Sequence, residues 1–268
     1  MKNKIAFIGC GNMGQALLES VLNNNIFSKK DIIVSDKRTA VLNKIRRKYP
    51  VKVTSSNDLA VSKSDIILLA IKPQDLSSAF KGIKNNLKDK LIISVLAGAN
   101  SSIIKKATAS KRVIRVMPNA PALCGCGITA IATNVGLKKK DLALCEKIFK
   151  SVGDTLFIEE SLIDAVTAIS GSGPAYFFLL MEAMIDAAVS LGIKRQLAQR
   201  LVLQTAFGAS MQSCYMDIHP SKLRNMVTSK GGTTEAALKV FKKKGFDKIV
   251  KEAIKKAARR SKELSEGE

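Results

Sequence analysis

An apolar strand running straight into a glycine turn limits this chain more than any other feature. Ile5-Ala6-Phe7-Ile8 leads into Gly9-Cys10-Gly11-Asn12-Met13-Gly14, and Gln15-Ala16-Leu17-Leu18-Glu19 then reads as a helix start. Strand, G-x-G-x-x-G turn and helix in this order form a pocket for a dinucleotide pyrophosphate. Gly9 permits the tight turn, Gly11 lets the backbone approach phosphate, and Gly14 lets the helix pack on the strand. The helix N-terminus then faces the negative charge. Glycine turns are common, so a purely structural turn is the alternative; the neighbours on both sides favour the dinucleotide.

The first half continues as alternating strands and helices. Strands are expected at 5–8, 32–35, 51–53, 66–71, 91–95 and 113–117, with helices at 15–24, 40–48, 76–87 and 102–108 between most of them. Several strands are unbroken Ile/Leu/Val runs, as required where helices cover both faces, so a doubly wound parallel sheet is expected. Strand 128–132, helix 140–152 and strand 156–158 extend the same domain. After residue 160 only helices remain, at 162–169, 175–191, 195–212, 221–228, 234–243 and 247–262. Gly192 is placed to cap one helix and Pro220 to start another. The expected organisation is a Rossmann-type domain at 1–159 and an all-α domain at 160–268, with the tail 265–268 disordered. Helix 175–191 is apolar nearly all round, so either deep burial within the chain or a second subunit must cover it.

Composition narrows the function classes. A chain of 268 residues with 46% hydrophobic content can build a full core. No apolar run approaches membrane-spanning length, since the longest is interrupted by Glu182 and Asp186, and the N-terminus has no signal-peptide core. A soluble cytoplasmic protein is expected, with no membrane partner. The five cysteines are irregularly spaced, and Cys124-Gly125-Cys126 is too tight for a usual zinc pair, so reduced thiols and no metal site are expected. The net charge of +22 raises nucleic acid as a partner, but the lysines are dispersed apart from 239–262, where they form one face of a helix. No aromatic stripe accompanies them, which favours a solvated surface that attracts anionic substrates and disfavours nucleic acid.

Further motifs lie where a dinucleotide fold puts its chemistry. The second strand ends in Val34-Ser35-Asp36-Lys37-Arg38. An acid there selects a free ribose 2′-hydroxyl, hence NAD; a basic residue welcomes a 2′-phosphate, hence NADP. Both are present, and Lys37 and Arg38 can equally be surface charges. Ala70-Ile71-Lys72-Pro73 ends the fourth strand, Ala97-Gly98 follows the fifth, and Met117-Pro118-Asn119 follows the sixth. In the second half, Ser229-Lys230-Gly231-Gly232-Thr233-Thr234 precedes a helical run. Its hydroxyls and free amides can hold a carboxylate, or can serve as an ordinary helix cap. His219, before Pro220, reads as structural in preference to a proton donor.

Taken in order, Gly9–Gly14, Ala70-Ile71-Lys72-Pro73-Gln74, Arg115-Val116-Met117-Pro118-Asn119-Ala120-Pro121, Ser170-Gly171-Ser172-Gly173-Pro174-Ala175-Tyr176 and 227–234 resemble the pyrroline-5-carboxylate reductases over essentially the whole chain. The resemblance implies reduction of the C=N bond of 1-pyrroline-5-carboxylate to L-proline by NADPH or NADH. It also implies a helical dimerisation domain and a homodimer or higher homo-oligomer. By matched position, Gly9, Gly11, Asn12, Met13 and Gly14 hold the pyrophosphate. Asp36, Lys37, Arg38 and Asn57 lie towards the adenosine ribose, and Ala70, Ile71, Lys72, Pro73, Ala97 and Gly98 line the nicotinamide. Ser229, Gly231, Gly232, Thr233 and Thr234 bind the imino acid carboxylate, and the Thr234 hydroxyl meets the ring nitrogen as the catalytic group. Lys230 stands where the family usually has proline, and Asp36 where NADPH users often carry an uncharged residue.

Two other readings compete. A 3-hydroxyacid dehydrogenase would need a lysine on the first long helix of the second half, and 175–191 has none. A nucleotide sensor or nucleic-acid binder would use the charge and show no imine reduction.

Overall fold

In the computed structural model, residues 3–134 and 136–266 are described. Contacts divide the chain into two compact units, Met1–Ser172 with Ala257–Glu268, and Gly173–Lys256. The first contains an eight-stranded sheet: β1 (Ile5–Ile8), β2 (Ile32–Ser35), β3 (Lys52–Thr54), β4 (Ile66–Leu69), β5 (Leu91–Ser94), β6 (Val113–Met117), β7 (Gly127–Thr133) and β8 (Gly153–Glu159). Its helices are α1 (Asn12–Asn23), α2 (Thr39–Lys48), α3 (Asn57–Ser62), α4 (Leu76–Ala79), α5 (Ser101–Thr108), α6 (Lys139–Lys150) and α7 (Ile163–Val166). Then follow α8 (Gly173–Ser190), α9 (Arg195–Met216), α10 (Pro220–Met226), α11 (Thr233–Lys243) and α12 (Phe246–Glu266).

The strand order is β3-β2-β1-β4-β5-β6-β7-β8. The first six strands are parallel. The order reverses between β1 and β4, the point at which a doubly wound sheet opens a crevice for ligand. β1, β2, β4 and β5 are buried at every position, because both faces are covered. Ile5 and Phe7 pack on one side with Leu17, Leu18 and Phe149; Ala6 and Ile8 pack on the other with Leu76, Phe80 and Ile104. Each such side chain contributes about 1.5–3 kcal/mol by burial, so the sheet is the rigid frame on which the loops are hung.

Several elements depart from the sequence expectation. β7 is antiparallel to β6: the link 118–126, with only a 3-10 turn, is too short for a parallel crossover. The helix expected at 76–87 is only the turn α4 and a 3-10 turn at Lys84–Leu87; Gly82 between them has φ +83°, which ends a right-handed helix. α3 was not expected; Ser56 caps it by accepting from the Leu59 amide at 3.2 Å. The helix expected at 162–169 is α7 followed by a π-turn, Thr167–Gly171. Ser265, expected in a disordered tail, is buried within α12; residues 267–268 of that tail lie outside the described residues. The stretch Glu160–Ser190 is long and apolar enough, by length and composition, to cross a membrane. That corrects the expectation that no such run exists, because isolated acids such as Glu182 do not end a helix.

In the second unit, α8 ends as expected at Gly192, whose φ is +90°. Its amide donates to the Val189 carbonyl and that of Ile193 to Ala188, closing the last turn. Of the eighteen residues of α8 only Gly173 is buried. Phe177, Phe178 and Leu179 are 60–67% exposed.

Candidate functional site

The glycine turn sits at the carboxyl end of β1. The Gly9 amide donates to the Ser35 carbonyl at 2.7 Å, tying the turn to β2. Gly9 has φ +85°, and a Cβ there would lie 2.6 Å from the Ala70 carbonyl oxygen. A Cβ on Gly14 would lie 2.8 Å from the Gly9 carbonyl, so Gly14 sets how closely α1 approaches the turn. A Cβ on Gly11 would meet only the Arg38 guanidinium, at 3.9 Å. The backbone is thus bare where phosphates must come close. α1 has no side-chain cap and no acid in its first turn, and its first bond runs from the Gln15 amide to Gly11. The amides of Asn12, Met13 and Gly14 precede that bond and point out of the helix, as an anion requires.

Around this turn lies a cleft of about 650 Å³. It brings together Gly9, Gly11, Asn12, Met13, Asp36, Lys37, Arg38, Asn57, Ala70, Ile71 and Lys72 from the expected site. Ser35, Ser55, Gln74, Asp75 and Ser78 also line it without having been expected. They lie at or beyond the carboxyl ends of β2, β3 and β4, and that position was the signal available. Gly14 lies behind the turn. Pro73 opens a 3-10 turn. Ala97 and Gly98 form a separate loop after β5.

Asp36 is 5% exposed and fully engaged. Oδ2 accepts from the Cys10 amide and from Arg38 Nη2, both at 2.9 Å. Oδ1 accepts from the Arg38 amide and Nε, again at 2.9 Å. A carboxylate offers about four acceptor positions, so none remains for a ribose hydroxyl. Burial pushes the Asp36 carboxyl up, but hydrogen bonds from the Arg38 side chain and the two amides hold it below its ordinary value. Bonding to Asp36 raises Arg38 in turn. The Arg38 side chain is half exposed. Lys37 pairs with Asp75 at 3.0 Å. Asn57 is also committed: Oδ1 accepts from the Ser35 hydroxyl at 2.7 Å, and Nδ2 donates to the Ala79 carbonyl at 3.0 Å. Burial, then the Asp36 charge, raises the Cys10 thiol to about 12.

The second unit carries the threonine-rich helix start. Gly232 is the N-cap of α11, without a side-chain cap. The Gly231 amide donates to Glu235 Oε2 at 2.9 Å, and that of Gly232 to the Ser229 carbonyl at 3.1 Å. The Ser229 hydroxyl lies against Gly232. The first turn of the helix closes from the Ala236 amide to Gly232, so the amides of Thr233, Thr234 and Glu235 point out of it. The Gly231 bond, then Lys239, holds the Glu235 carboxyl low. His219 caps α10, its Nδ1 accepting from the Ser221 amide at 3.2 Å.

One cluster escaped the sequence reading. Arg115, 3% exposed on β6, faces Glu160 at 3.7 Å and Asp164 at 4.0 Å. A lone arginine inside the apolar run Val113-Ile114-Arg115-Val116, with acids four apart downstream, was the available signal. A second cavity of about 540 Å³ lies at the amino ends of β4 and β5. Arg112 there holds Asp141 at 2.8 and 3.1 Å, and the cavity is at the edge opposite to the one where such sheets bind ligands.

Comparison with known proteins agrees with this layout. Residues 160–264 match the family "Pyrroline-5-carboxylate reductase dimerisation", and residues 4–98 match "NADP oxidoreductase coenzyme F420-dependent". The chain is 38% identical to the pyrroline-5-carboxylate reductase of Synechocystis, covering 98% of this chain and 99% of the relative. It is 39% identical to that of Pseudomonas aeruginosa, covering 98% and 97%. Among solved structures, the Coxiella burnetii pyrroline-5-carboxylate reductase superposes with TM-score 0.91 at 33% identity, covering 99% of each chain. The Plasmodium falciparum pyrroline carboxylate reductase with NADP bound superposes with TM-score 0.88 at 33% identity, covering 98% of each. These relationships span the full length of the chain, over both the sheet frame with its bare glycine turn and the helical region, and the chain belongs to the pyrroline-5-carboxylate reductase family.

Proposed function

We propose that this chain reduces 1-pyrroline-5-carboxylate to L-proline with NADPH as its preferred coenzyme. The reductase activity and the use of NAD(P)H rest on the full-length relationship. The observation that carries the coenzyme half-site is the open backbone at Gly11 beneath three outward amides of α1. When bound, the reduced nicotinamide supplies the hydride equivalent that the imine carbon accepts.

Each proposed residue has a physical task. Gly9, Gly11, Asn12, Met13 and Gly14 seat the pyrophosphate. Arg38 and Lys37 favour a ribose 2′-phosphate, because Asp36 has already given its acceptor positions to Arg38 and Cys10. Asn57 fixes the ribose wall through Ser35. Ala70, Ile71, Lys72, Pro73, Ala97 and Gly98 shape the nicotinamide end. In the second unit, Ser229 and the helix start from Gly231 to Thr234 take the substrate carboxylate. Thr233 and Thr234 offer the outward amides there, since those of Gly231 and Gly232 are engaged. The Thr234 hydroxyl orients the ring nitrogen. A protonated cyclic imine is already electrophilic, so alignment is the main demand and no metal is needed. A threonine hydroxyl is a weak acid, and solvent supplies the proton.

We assign residues 1–159 to coenzyme binding and 160–268 to substrate binding and pairing. The exposed apolar residues of α8 are read as packing against a second copy rather than lipid, because they lie within the stretch that matches a dimerisation family. Cytoplasmic residence suits the five free cysteines. Turnover of pyrroline-5-carboxylate with each coenzyme in turn tests the whole reading; no oxidation of either coenzyme overturns it.

A further inference from the structure

We propose that Arg115, Glu160, Asp164 and Ser261 form a brace that positions the loop after β5, and with it the nicotinamide end of the coenzyme site. The inference rests on the reading above that Ala97 and Gly98 line that end.

The loop is held at two points. At its far end the Ser101 amide donates to Glu160 Oε1 at 2.7 Å. Asn134 Nδ2 ties the same pair together, donating to the Ser101 hydroxyl at 2.8 Å and to Glu160 Oε2 at 2.9 Å. At its middle, Gly98 has φ +73°, and a Cβ there would lie 3.0 Å from Leu264 Cβ and 3.3 Å from the Leu264 carbonyl oxygen. The back of the loop therefore rests on the last turns of α12.

The two supports are joined through the sheet. Arg115 Nη1 lies 3.7 Å from Glu160 Oε1, and its Nη2 lies 4.0 Å from Asp164 Oδ1. The Ser261 hydroxyl donates to the same Asp164 oxygen at 2.7 Å. Ser261 and Leu264 are three apart on α12 and share a face. The path closes on itself: loop, Glu160, Arg115, Asp164, Ser261, Leu264, loop. All of it lies within the first unit.

Packing alone gives no reason for an arginine here. Arg115 is 3% exposed amid fully buried neighbours, and its Nε and Nη2 have no hydrogen-bond partner among the described residues. Replacing such a charge group with apolar side chains is often neutral or stabilising. A group kept at that cost, touching both supports of one loop, acts as a positioning device. Burial lowers the basicity of the guanidinium while the two carboxylates restore part of it. Burial likewise raises Glu160, and its bonds to Ser101 and Asn134, with Arg115, more than reverse this.

The test uses the full chain with Ser261→Ala, Ser261→Thr and Glu160→Ala. Ser261 bonds to Asp164 and does not line the cleft, so an effect of its hydroxyl on the loop is expected to travel through the brace. In coenzyme-free protein, Ser261→Ala is expected to speed hydrogen exchange of amides 96–101 by at least about threefold. It should also weaken NADPH binding, read by coenzyme fluorescence, and raise the deuterium isotope effect on kcat by loosening donor placement. Ser261→Thr restores all three, and Glu160→Ala gives the largest loop effect. If Ser261→Ala lowers Tm yet leaves loop exchange, NADPH binding and the isotope effect unchanged, the proposal is overturned even if Glu160→Ala fails to fold. Loop exchange is read without turnover, so an inactive wild-type protein would sink the reductase reading and still leave the brace decided.

Discussion

The two units bury their apolar residues in opposite ways. In the first, strands such as Ile66–Leu69 are enclosed at every position by their own helices. In the second, α8 is mostly apolar but leaves Phe177, Phe178 and Leu179 mostly exposed. The first unit makes its own core; the second, which matches a dimerisation family, is left for a second copy to cover. The proposed chemistry divides along the same line. The glycine turn proposed for the dinucleotide stands on the enclosed frame, while the helix start proposed for the substrate carboxylate stands on the open scaffold.

The sharpest way to break this contrast is Phe178→Lys. In a two-fold interface each substitution counts twice, so a central aromatic contributing about 2 kcal/mol gives about a thousandfold weaker pairing. Light scattering should show monomers, with activity lost in parallel; an unchanged mass would mean α8 is covered in another way. Gly9→Ala probes the self-sufficient unit. Its Cβ would crowd the Ala70 carbonyl at a left-handed φ, costing about 2–3 kcal/mol, or roughly fiftyfold in coenzyme affinity, without altering oligomer mass. Thr234→Ala should lower imine turnover about tenfold and leave coenzyme binding intact; equal turnover removes that hydroxyl from the mechanism. Arg38→Ala should cut the NADPH-to-NADH preference about fivefold, read as a ratio of kcat/KM values. A constant ratio would show that the guanidinium serves only Asp36.

The smallest effect is acid stability. The Asp36 and Glu160 carboxyls titrate lower in the folded chain than when unfolded. Their contribution is complete above their unfolded values, near pH 4, and drains away as pH falls through the lower folded ones. Asp36→Asn should flatten the acid limb of Tm against pH, and an identical limb in both proteins would contradict it.

Much of the frame was legible because burial on both faces leaves a direct trace. β1, β2 and β6 span the residues expected of them. The trace fails where conformation hangs on one residue. Gly82 splits an apparently continuous helix, and Ser56 nucleates α3 from a segment with little periodicity. The sense of β7 is carried by the length of its link to β6, too short for a parallel crossover, and not by the composition of the strand itself. At the site, the glycines were readable as geometry, whereas Asp36 was readable only as a charge. Its type says that an acceptor is present; only the fold shows that Arg38 and Cys10 use all of it. The Arg115 cluster was missed for a related reason, since its members come from positions 115 to 261 and have no common local pattern.

The thiol inside the glycine turn has a practical corollary. Cys10 is enclosed and keeps its proton up to about pH 12, and a protonated sulfur is a poor nucleophile. Cys124 and Cys126, in the first unit, are exposed. Alkylating dyes at neutral pH will therefore mark these two and spare the turn, so reporters can be attached to the native chain without modifying the glycine turn.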